Sequence, residues 1–303
     1  MTVTVLESPP TTDFDAVPSG PAAAAPTASL ARTRRPVGAL LRRFGVILAL
    51  GIILFAVLSA VVPQLLATYA PTATAPLDRL LPPSPTHWFG TDELGRDLYS
   101  RVVHGSALTI AATALAVGLA LVVGLTLGVL SGFVGGLTDS IAMRIVDVFL
   151  AIPGLLLALA IVTALGFGTI PVAIAVGIGI VPGFARTTRA EVLRVRTLPY
   201  IEAARAGGAS WTRILITHIL PNSWGPVMVL AVLDIGVAIL AVASLSFLGF
   251  GAAPPAAEWG TLIANGRNYL VTAPWVSLIP GLFVAVVVLS LNHLSKTLEE
   301  VQR

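Results

Sequence analysis

Long apolar runs alternate with shorter polar segments along most of the chain, and these runs predict its main elements. A helix that crosses a bilayer needs about 20 consecutive, mostly apolar residues. Six runs approach or exceed this length, at residues 44–62, 106–130, 145–165, 170–186, 224–248 and 273–294. The pattern therefore predicts an all-α polytopic membrane protein with six transmembrane helices.

The fourth run, 170–186, has the weakest helical pattern because it contains two prolines and three glycines. They are Pro171, Gly177, Gly179, Pro182 and Gly183. Backbone groups that such residues free inside a membrane must find partners in neighbouring helices or in a water-lined cavity. Of the six assignments, this span therefore has the weakest support from the sequence.

Composition excludes a soluble domain as the source of these runs. Hydrophobic residues make up 56% of the chain and charged residues 11%, against roughly 45–50% and 25% in soluble domains. A soluble protein so poor in polar residues could not cover its surface, so the excess must face lipid. The sequence contains no cysteine, which excludes disulfides, a thiolate nucleophile and cysteine-ligated metal.

The beginning of the chain differs from the rest. Residues 8–29 consist largely of proline, alanine, threonine and serine without apolar periodicity, and such a segment buries too little surface to offset its ordering entropy. We predict a disordered tail at 1–36, a first transmembrane helix with the start of the next loop at 37–86, and the main membrane core at 87–303.

Basic residues are distributed unevenly between the predicted loops. Fourteen of the 18 lie in the tail, the 131–144 and 186–223 loops and the C-terminus, which six spans place on one side. The other side holds only Arg79, Arg96, Arg101 and Arg267. Because basic residues gather on the cytoplasmic side, we predict cytoplasmic termini, with loops 63–105 and 249–272 outside.

The residues give little support to enzymatic chemistry. A nucleotide-binding P-loop needs Gly-Lys-Ser/Thr, but the one lysine, Lys296, follows Ser295 with no glycine nearby. The four histidines form neither an HExxH motif nor an i,i+4 pair; they are His87, His104, His218 and His293. We therefore predict no catalytic residues, no metal site and no cofactor in this chain.

The 186–223 loop is predicted to contain two short helices, and the first covers 200–206. Pro199 suits a first helical turn, where its missing N–H costs nothing. Glu202 lies near the positive end of the helix dipole, which favours an acid. Gly207-Gly208 would end the helix and allow a sharp turn.

The second short helix is predicted over 211–220, with Ser210 as its cap and Pro221 as its stop before the fifth span. Four of its residues share one face at helical spacing; they are Trp211, Ile214, Leu215 and His218. This stripe fits two interpretations equally well. It could pack on the membrane core as a plain connector, or it could support a docking element for a cytoplasmic partner.

Residues of this loop resemble the EAA loop of ABC importer permeases. Glu202-Ala203-Ala204 is followed four residues later by Gly208, and Leu220-Pro221 ends the pattern at the family's spacing. His218 stands where the general pattern has isoleucine, and His-Ile-Leu-Pro is common in the peptide-import branch.

Two further segments resemble the C-type subunits of dipeptide and oligopeptide permeases. Residues 89–97 are similar to the outside segment before the second span of those subunits, and residues 246–275 contain motifs of their last outside loop. The likeness runs from about residue 87 to residue 294 and does not include the tail.

The resemblance implies the type I ABC importer permease fold, with six transmembrane helices and a cytoplasmic EAA coupling loop. It implies a heterodimer with a second permease subunit, and an extracytoplasmic solute-binding protein that delivers the solute. Two ATPase subunits, or one fused ATPase, would dock on the coupling loops and hold ATP-Mg. The implied location is the bacterial plasma (inner) membrane, and nucleic acid is not among the expected partners.

The same resemblance implies which residues couple the chain to an ATPase. They are Glu202, Ala203, Ala204, Gly208, Leu220 and Pro221. The two alanines are expected at or beside the face that enters an ATPase cleft. Glu202 is expected to hold the local geometry through the backbone or Arg205, and Gly208 to occupy the turn.

The solute implied by the resemblance is a di- or oligopeptide, but nickel and glutathione permeases share these motifs. A secondary transporter is the alternative from another class. It would keep interrupted helices and lack a docking loop, and it would more often carry several charges inside the membrane.

Asp234 is the one acid predicted deep in a span, near mid-membrane, where a charge should face protein or water. It could line the translocation path and attract a substrate ammonium, or it could bond to a neighbouring helix. Arg144 and Asp147 are expected to form an i,i+3 pair. For residues 91–97 a capped turn is favoured over a contact with a ligand.

Overall fold

The computed structural model describes the backbone of residues 36–302 and the side chains of residues 44–297. The predicted tail, apart from residue 36, lies outside the described residues. The described helices are α1 Pro36–Val61, α2 Pro63–Leu66, α3 Leu98–Val134, α4 Gly136–Ala151, α5 Gly154–Leu165, α6 Thr169–Arg196, α7 Pro199–Ala206, α8 Trp211–Ile214, α9 Leu220–Phe247, α10 Trp259–Gly266 and α11 Trp275–Gln302.

Five helical segments in this part of the chain are long and apolar enough to cross a membrane, namely those containing α1, α3, α6, α8–α9 and α11. The bent pair formed by α4 and α5 corresponds to the third predicted span and brings the number of spans to six if the two are counted as one. The all-α class is confirmed.

Helices α3 and α6 form the closest pair in the core, because glycines on α3 remove the side chains that would separate them. A Cβ atom added at Gly128 would lie 2.6 Å from the Ala185 carbonyl oxygen and 2.5 Å from the Thr188 Cβ. Gly124 and Gly132 face α6 in the same way. Small residues at such spacing let helix backbones approach closely inside a membrane.

The fourth span, which had the weakest support from the sequence, is present as a single long helix. Helix α6 continues through Pro182, and Gly177 of that helix lies against Ala116 of α3. The break falls in the third span instead, where α4 and α5 are bent by 96° around Ile152 and Pro153. Ile152 is extended, as the residue before a proline prefers to be.

The stop predicted at Pro221 is also absent from the structure. A π-helical segment, Leu215–Ile219, joins α8 directly to α9. Its wider turn is marked by the hydrogen bond from the Leu220 N–H to the Leu215 carbonyl. Pro221 then stands in the first turn of α9, where its missing N–H costs nothing.

Two other helices extend beyond their predicted bounds. Helix α3 begins at Leu98, eight residues before the predicted start, because the Asp97 carboxylate accepts a hydrogen bond from the Ser100 N–H at 2.8 Å and caps it. Helix α6 ends at Arg196 and so takes up the first part of the predicted 186–223 loop.

A second core cluster joins α1, α9, α10 and α11 around Trp259, which is fully buried. Its indole N–H donates to the Val102 carbonyl of α3 at 3.1 Å. The short helix α10 is thereby fixed against the beginning of α3.

Candidate functional site

The predicted coupling residues begin on α7, which starts at Pro199 as expected and carries Glu202 in its first turn. Helix α7 ends in a turn that depends on glycine. Gly208 has a φ of +79°, in the left-handed region that a residue with a Cβ rarely adopts. The Gly208 N–H donates to the Arg205 carbonyl at 2.9 Å, and the Ala209 N–H donates to the Ala204 carbonyl at 3.1 Å.

The underside of this loop is an apolar cluster that fixes it to the membrane core. Ile201 of α7, Ile214 of α8 and Ile219 of the π segment are buried against Val192 and Val195 at the end of α6. Ser210 caps α8, as predicted, by accepting the Arg213 N–H at 3.4 Å. The loop is therefore a supported structure rather than a free connector.

The predicted stripe on the second short helix is only partly correct. Ile214 and Leu215 belong to the apolar cluster, but Trp211 is half exposed and lies edge-on to Phe133, with ring centroids 5.3 Å apart. The π segment changes the helical register, so that Ile219 takes the buried place expected of His218.

The outward surface of α7 is formed by small and polar side chains. Glu202 and Ala203 are exposed, as is Gly208, whereas Ala204 is half-buried and packs on the apolar cluster. The two alanines thus point to different sides. Ala203 is the one that leaves the helix backbone open to close approach.

Arg205 stacks on Trp211, with its guanidinium carbon 4.1 Å from the ring centroid. This contact connects α7 to α8 across the glycine turn, and it gives Arg205 a partner other than the expected Glu202. Leu220 and Pro221 lie farther along, at the start of α9. The π segment that precedes Leu220 is connected to α7 by the rings of Tyr200 and His218, whose centroids are 6.1 Å apart.

Asp234 lies half-buried within α9. Among the side chains that the structure describes, no hydrogen bond or ion pair involves its carboxyl group. Bonding to a neighbouring helix of this chain is therefore not seen, and its role in a path stays a prediction.

Asp147 pairs with Arg186 of α6, at 2.6 Å, and not with Arg144 as predicted. A second ion pair joins the same two helices, because the Arg189 guanidinium donates to both carboxylate oxygens of Asp139, with Nη2 2.6 Å from Oδ2. Pairs between helices cannot be read from i,i+3 spacing, since they depend on how α4 crosses α6.

Residues 91–97 form the capped turn that was expected. Thr91 and Asp97 make an isolated β-bridge, and the Asp97 carboxylate also lies 2.9 Å from Nδ1 of His87. Within this turn the Asp92 carboxylate accepts from Arg96 Nε at 2.6 Å, and both side chains are buried.

Sequence reasoning missed two features of the predicted outside loops, 63–105 and 249–272. One is the group of charges at 92–101, whose only sequence signal is alternating acids and arginines on a side with few basic residues. The other is Glu258, which caps α10 by accepting the Gly260 and Thr261 N–H groups. Burial raises the pKa of the Glu258 carboxyl, and hydrogen bonds, including one from Thr109, oppose that rise.

This geometry defines an integral-membrane permease with a rigidly supported loop beside its helical core. The family model described as "Binding-protein-dependent transport system inner membrane component" matches residues 124–301. The chain therefore belongs to this family, the permease subunits of ABC importers.

Curated relatives agree with that assignment. The chain is 44% identical over 241 residues to a probable D,D-dipeptide transport system permease protein of Escherichia coli, covering 80% of this chain and 81% of the relative. It is 39% identical over 254 residues to a dipeptide transport system permease protein of Alkalihalophilus pseudofirmus, covering 84% of each. A glutathione transport system permease protein of Pectobacterium atrosepticum is 40% identical over 218 residues, 72% of each.

Solved structures support the fold alone. An inward-facing MetNI methionine ABC transporter matches with a TM-score of 0.52 and 20% identity, over 65% of this chain and 96% of that one. An amino acid ABC transporter matches with a TM-score of 0.52 and 18% identity, over 66% and 93%. The type I ABC importer permease fold is confirmed.

Proposed function

We propose that this permease forms half of the translocation path for di- or oligopeptides in an ATP-driven importer. The names of its relatives support a peptide solute, since they are permeases for D,D-dipeptides, dipeptides and glutathione, itself a short peptide. Glutathione or nickel is the alternative solute within the same family. A secondary transporter is not favoured, because the family is one of binding-protein-dependent permeases.

The single observation that carries the coupling mechanism is the two-sided structure of α7. Its inner side is fixed by Ile201 in the apolar cluster, whereas its outer side exposes Glu202 and Ala203. A rigid helix with small outward side chains can enter a cleft of a partner protein and transmit that partner's movement to the spans. We assign this role to Glu202, Ala203, Ala204, Gly208, Leu220 and Pro221.

The proposed partners follow from this mechanism. ATP-Mg is held and hydrolysed in two ATPase subunits, or one fused ATPase, that dock on α7 and on its counterpart in a second permease subunit. An extracytoplasmic binding protein supplies the solute. The uneven distribution of arginine supports placing α7 and both termini in the bacterial cytoplasm.

Co-purification of the ATPase with permease variants tests this proposal. Ala203→Asp adds a charge to the exposed side of α7, so we expect loss of ATPase association and of solute uptake while the two permease subunits still co-purify. Gly208→Val should act in the same direction, because valine is strained at a φ of +79°.

Thr138→Asp is the matched control, since it adds the same charge at an exposed site in the first turn of α4. It should leave association and uptake intact. If Ala203→Asp binds the ATPase and transports as well as the Thr138→Asp variant does, the coupling role assigned to α7 is wrong.

A further inference from the structure

A cavity of about 510 Å³ lies between the charged turn at 92–101 and the segment that connects α9 to α10. A second, more open cavity of about 370 Å³ lies next to it, and Glu93 lines both. Pockets that hold small molecules commonly enclose roughly 300–1,000 Å³. The first cavity is therefore large enough for a small solute.

Arg101 gives this cavity a buried positive charge that the protein only partly satisfies. Its side chain is 2% exposed, and its Nη1 donates to the Pro71 carbonyl at 2.9 Å. Its Nε lies 3.4 Å from Asp92 Oδ2 but makes no hydrogen bond with any described group. A buried donor without a partner is unfavourable, and Arg101 is one of the residues that line the cavity.

Glu93 supplies the opposite charge in the same cavity. Its Oε1 accepts from Arg96 Nη2 at 3.1 Å, whereas its Oε2 is buried and has no hydrogen-bond partner among the described side chains and backbone. Arg96 is itself occupied by Asp92. One acceptor oxygen and one guanidinium N–H are thus unpaired in two residues that line the same cavity.

Much of the remaining wall is small and apolar, although Ser246, Thr261 and Asn265 add polar side chains. Ala252, Ala253 and Ala256 line the cavity together with Phe167. Phe167 stacks on Phe250 with centroids 5.5 Å apart, and the Gly168 N–H donates to the Phe250 carbonyl at 2.8 Å. The apolar part of the wall can accept side chains of varied shape.

We propose that this cavity is a binding subsite for the two charged termini of a short peptide. Glu93 Oε2 receives the α-ammonium group, and Arg101 receives the α-carboxylate. A simple anion would be repelled by Glu93, and a simple cation by the two arginines, so a zwitterion is the species that complements both. The assignment rests on the proposed function, since it takes peptides as the solute and this face as the outer one.

Direct binding to the assembled importer, in nanodiscs and without its binding protein, tests the subsite. The probe is radiolabelled dialanine. We expect saturable binding to the wild-type complex, an affinity at least tenfold lower for Glu93→Gln, and unchanged affinity for Asp78→Asn. Glutamine keeps the Oε1 acceptor that Arg96 uses, so the fold should survive, and Asp78 lines neither cavity.

Blocked peptides identify the two ends. N-acetyl-dialanine should not compete with radiolabelled dialanine for the wild-type complex. It should not compete for the Glu93→Gln complex either. Dialanine amide should bind less well than dialanine, because it lacks the carboxylate for Arg101. Equal competition by all three peptides would overturn the assignment of the termini.

Labelling of a single cysteine gives a readout that does not depend on transport, because the native chain contains no cysteine. Ala253→Cys should react with an impermeant maleimide from outside, and dialanine should protect it. Thr72→Cys, which is exposed and not among the residues that line the cavity, should react without protection. Failure of both cysteines to react from outside would refute the orientation on which the subsite depends.

The outcomes separate the subsite from the proposed function. Uptake of dialanine without binding or protection at Ala253→Cys would refute the subsite and leave the peptide function standing. Binding and protection without uptake would support the subsite and refute the peptide function. If Glu93→Gln instead weakens only the docking of the binding protein, the cavity is a protein contact and the proposal is wrong.

Discussion

The α3–α6 pair and the α4–α5 pair use glycine and proline in opposite ways. In the first pair, Gly124, Gly128 and Gly132 lie against α6, and α6 stays helical through Pro182. In the second, Pro153 and Gly154 stand at a bend of 96°, and nothing lies within 4 Å of a Cβ placed at Gly154. Glycine and proline are therefore compatible with close packing of α3 on α6, whereas they accompany a sharp bend between α4 and α5.

The surroundings of each pair explain the difference. Backbone that glycine exposes on α3 is covered at once by α6, so the helix loses no stabilising contact. The α4–α5 pair keeps much of its apolar surface uncovered, including Ile145, Val148, Leu155 and Leu156. A helix break is tolerated where the surface around it is not packed against another helix of the same chain and can contact lipid or another protein.

Overfilling the α3–α6 interface should have the largest effect. Gly128→Val places carbon atoms where the Ala185 carbonyl and Thr188 already lie. We expect a loss of about 1–3 kcal/mol, seen as a fall of several degrees or more in the thermal unfolding temperature in detergent.

Gly118→Val on the same helix is the control, because nothing lies within 4 Å of its added Cβ. Valine is no worse than glycine for helix propensity, so this variant should unfold at the wild-type temperature or above. Equal losses for the two variants would show that the close approach of α3 and α6 is not what holds the pair.

The ion pairs between α4 and α6 offer a smaller test. Arg189→Gln removes a bidentate ion pair with Asp139 that is partly buried. Because the pair is partly shielded from solvent, we expect a loss of about 1 kcal/mol in unfolding free energy. Arg186→Gln removes a pair that is more than half exposed and should cost less than about 0.5 kcal/mol. Thermal unfolding at low and high salt would compare them, and the reverse order would contradict this account.

Of these variants, Pro153→Ala should change the unfolding free energy least, but it should change the angle between α4 and α5. Without the proline, Ile152 is free to become helical, and the unfolding free energy should stay within roughly 0.5 kcal/mol of wild type. Spin labels at cysteines replacing Ile141 and Leu165, both exposed, would report the bend.

A straight helix would place those two labels about 36 Å apart, and the bent pair places them closer. We expect the distance distribution of Pro153→Ala to shift toward the longer value relative to the labelled parent. An unchanged distribution would show that packing of α5 on α6, rather than the proline, sets the bend.

The features that sequence predicted well are those that depend on local chemistry. The apolar runs predict the class of the fold, and Pro199, Ser210 and Gly208 fix the caps and the turn of the loop formed by α7 and α8 at their predicted places. In each case the deciding interaction lies within a few residues along the chain.

The features that sequence did not predict depend on neighbours far along the chain. Pro182 is harmless because α3 covers that part of α6, and Pro221 is harmless because a π turn precedes it. Asp147 pairs with a residue 39 positions away. The unpaired groups of Glu93 and Arg101 become visible only when the cavity that holds them is formed.

The π turn has a mechanical consequence, since it makes the path from Trp211 to Phe247 one continuous helix of 37 residues. Such a rod is about 55 Å long, and no loop interrupts it between those two residues. A torque applied beside α7 would turn the far end of α9 as well. That end contains Ser246 and is followed by Gly249, and both residues line the same cavity as Glu93 and Arg101.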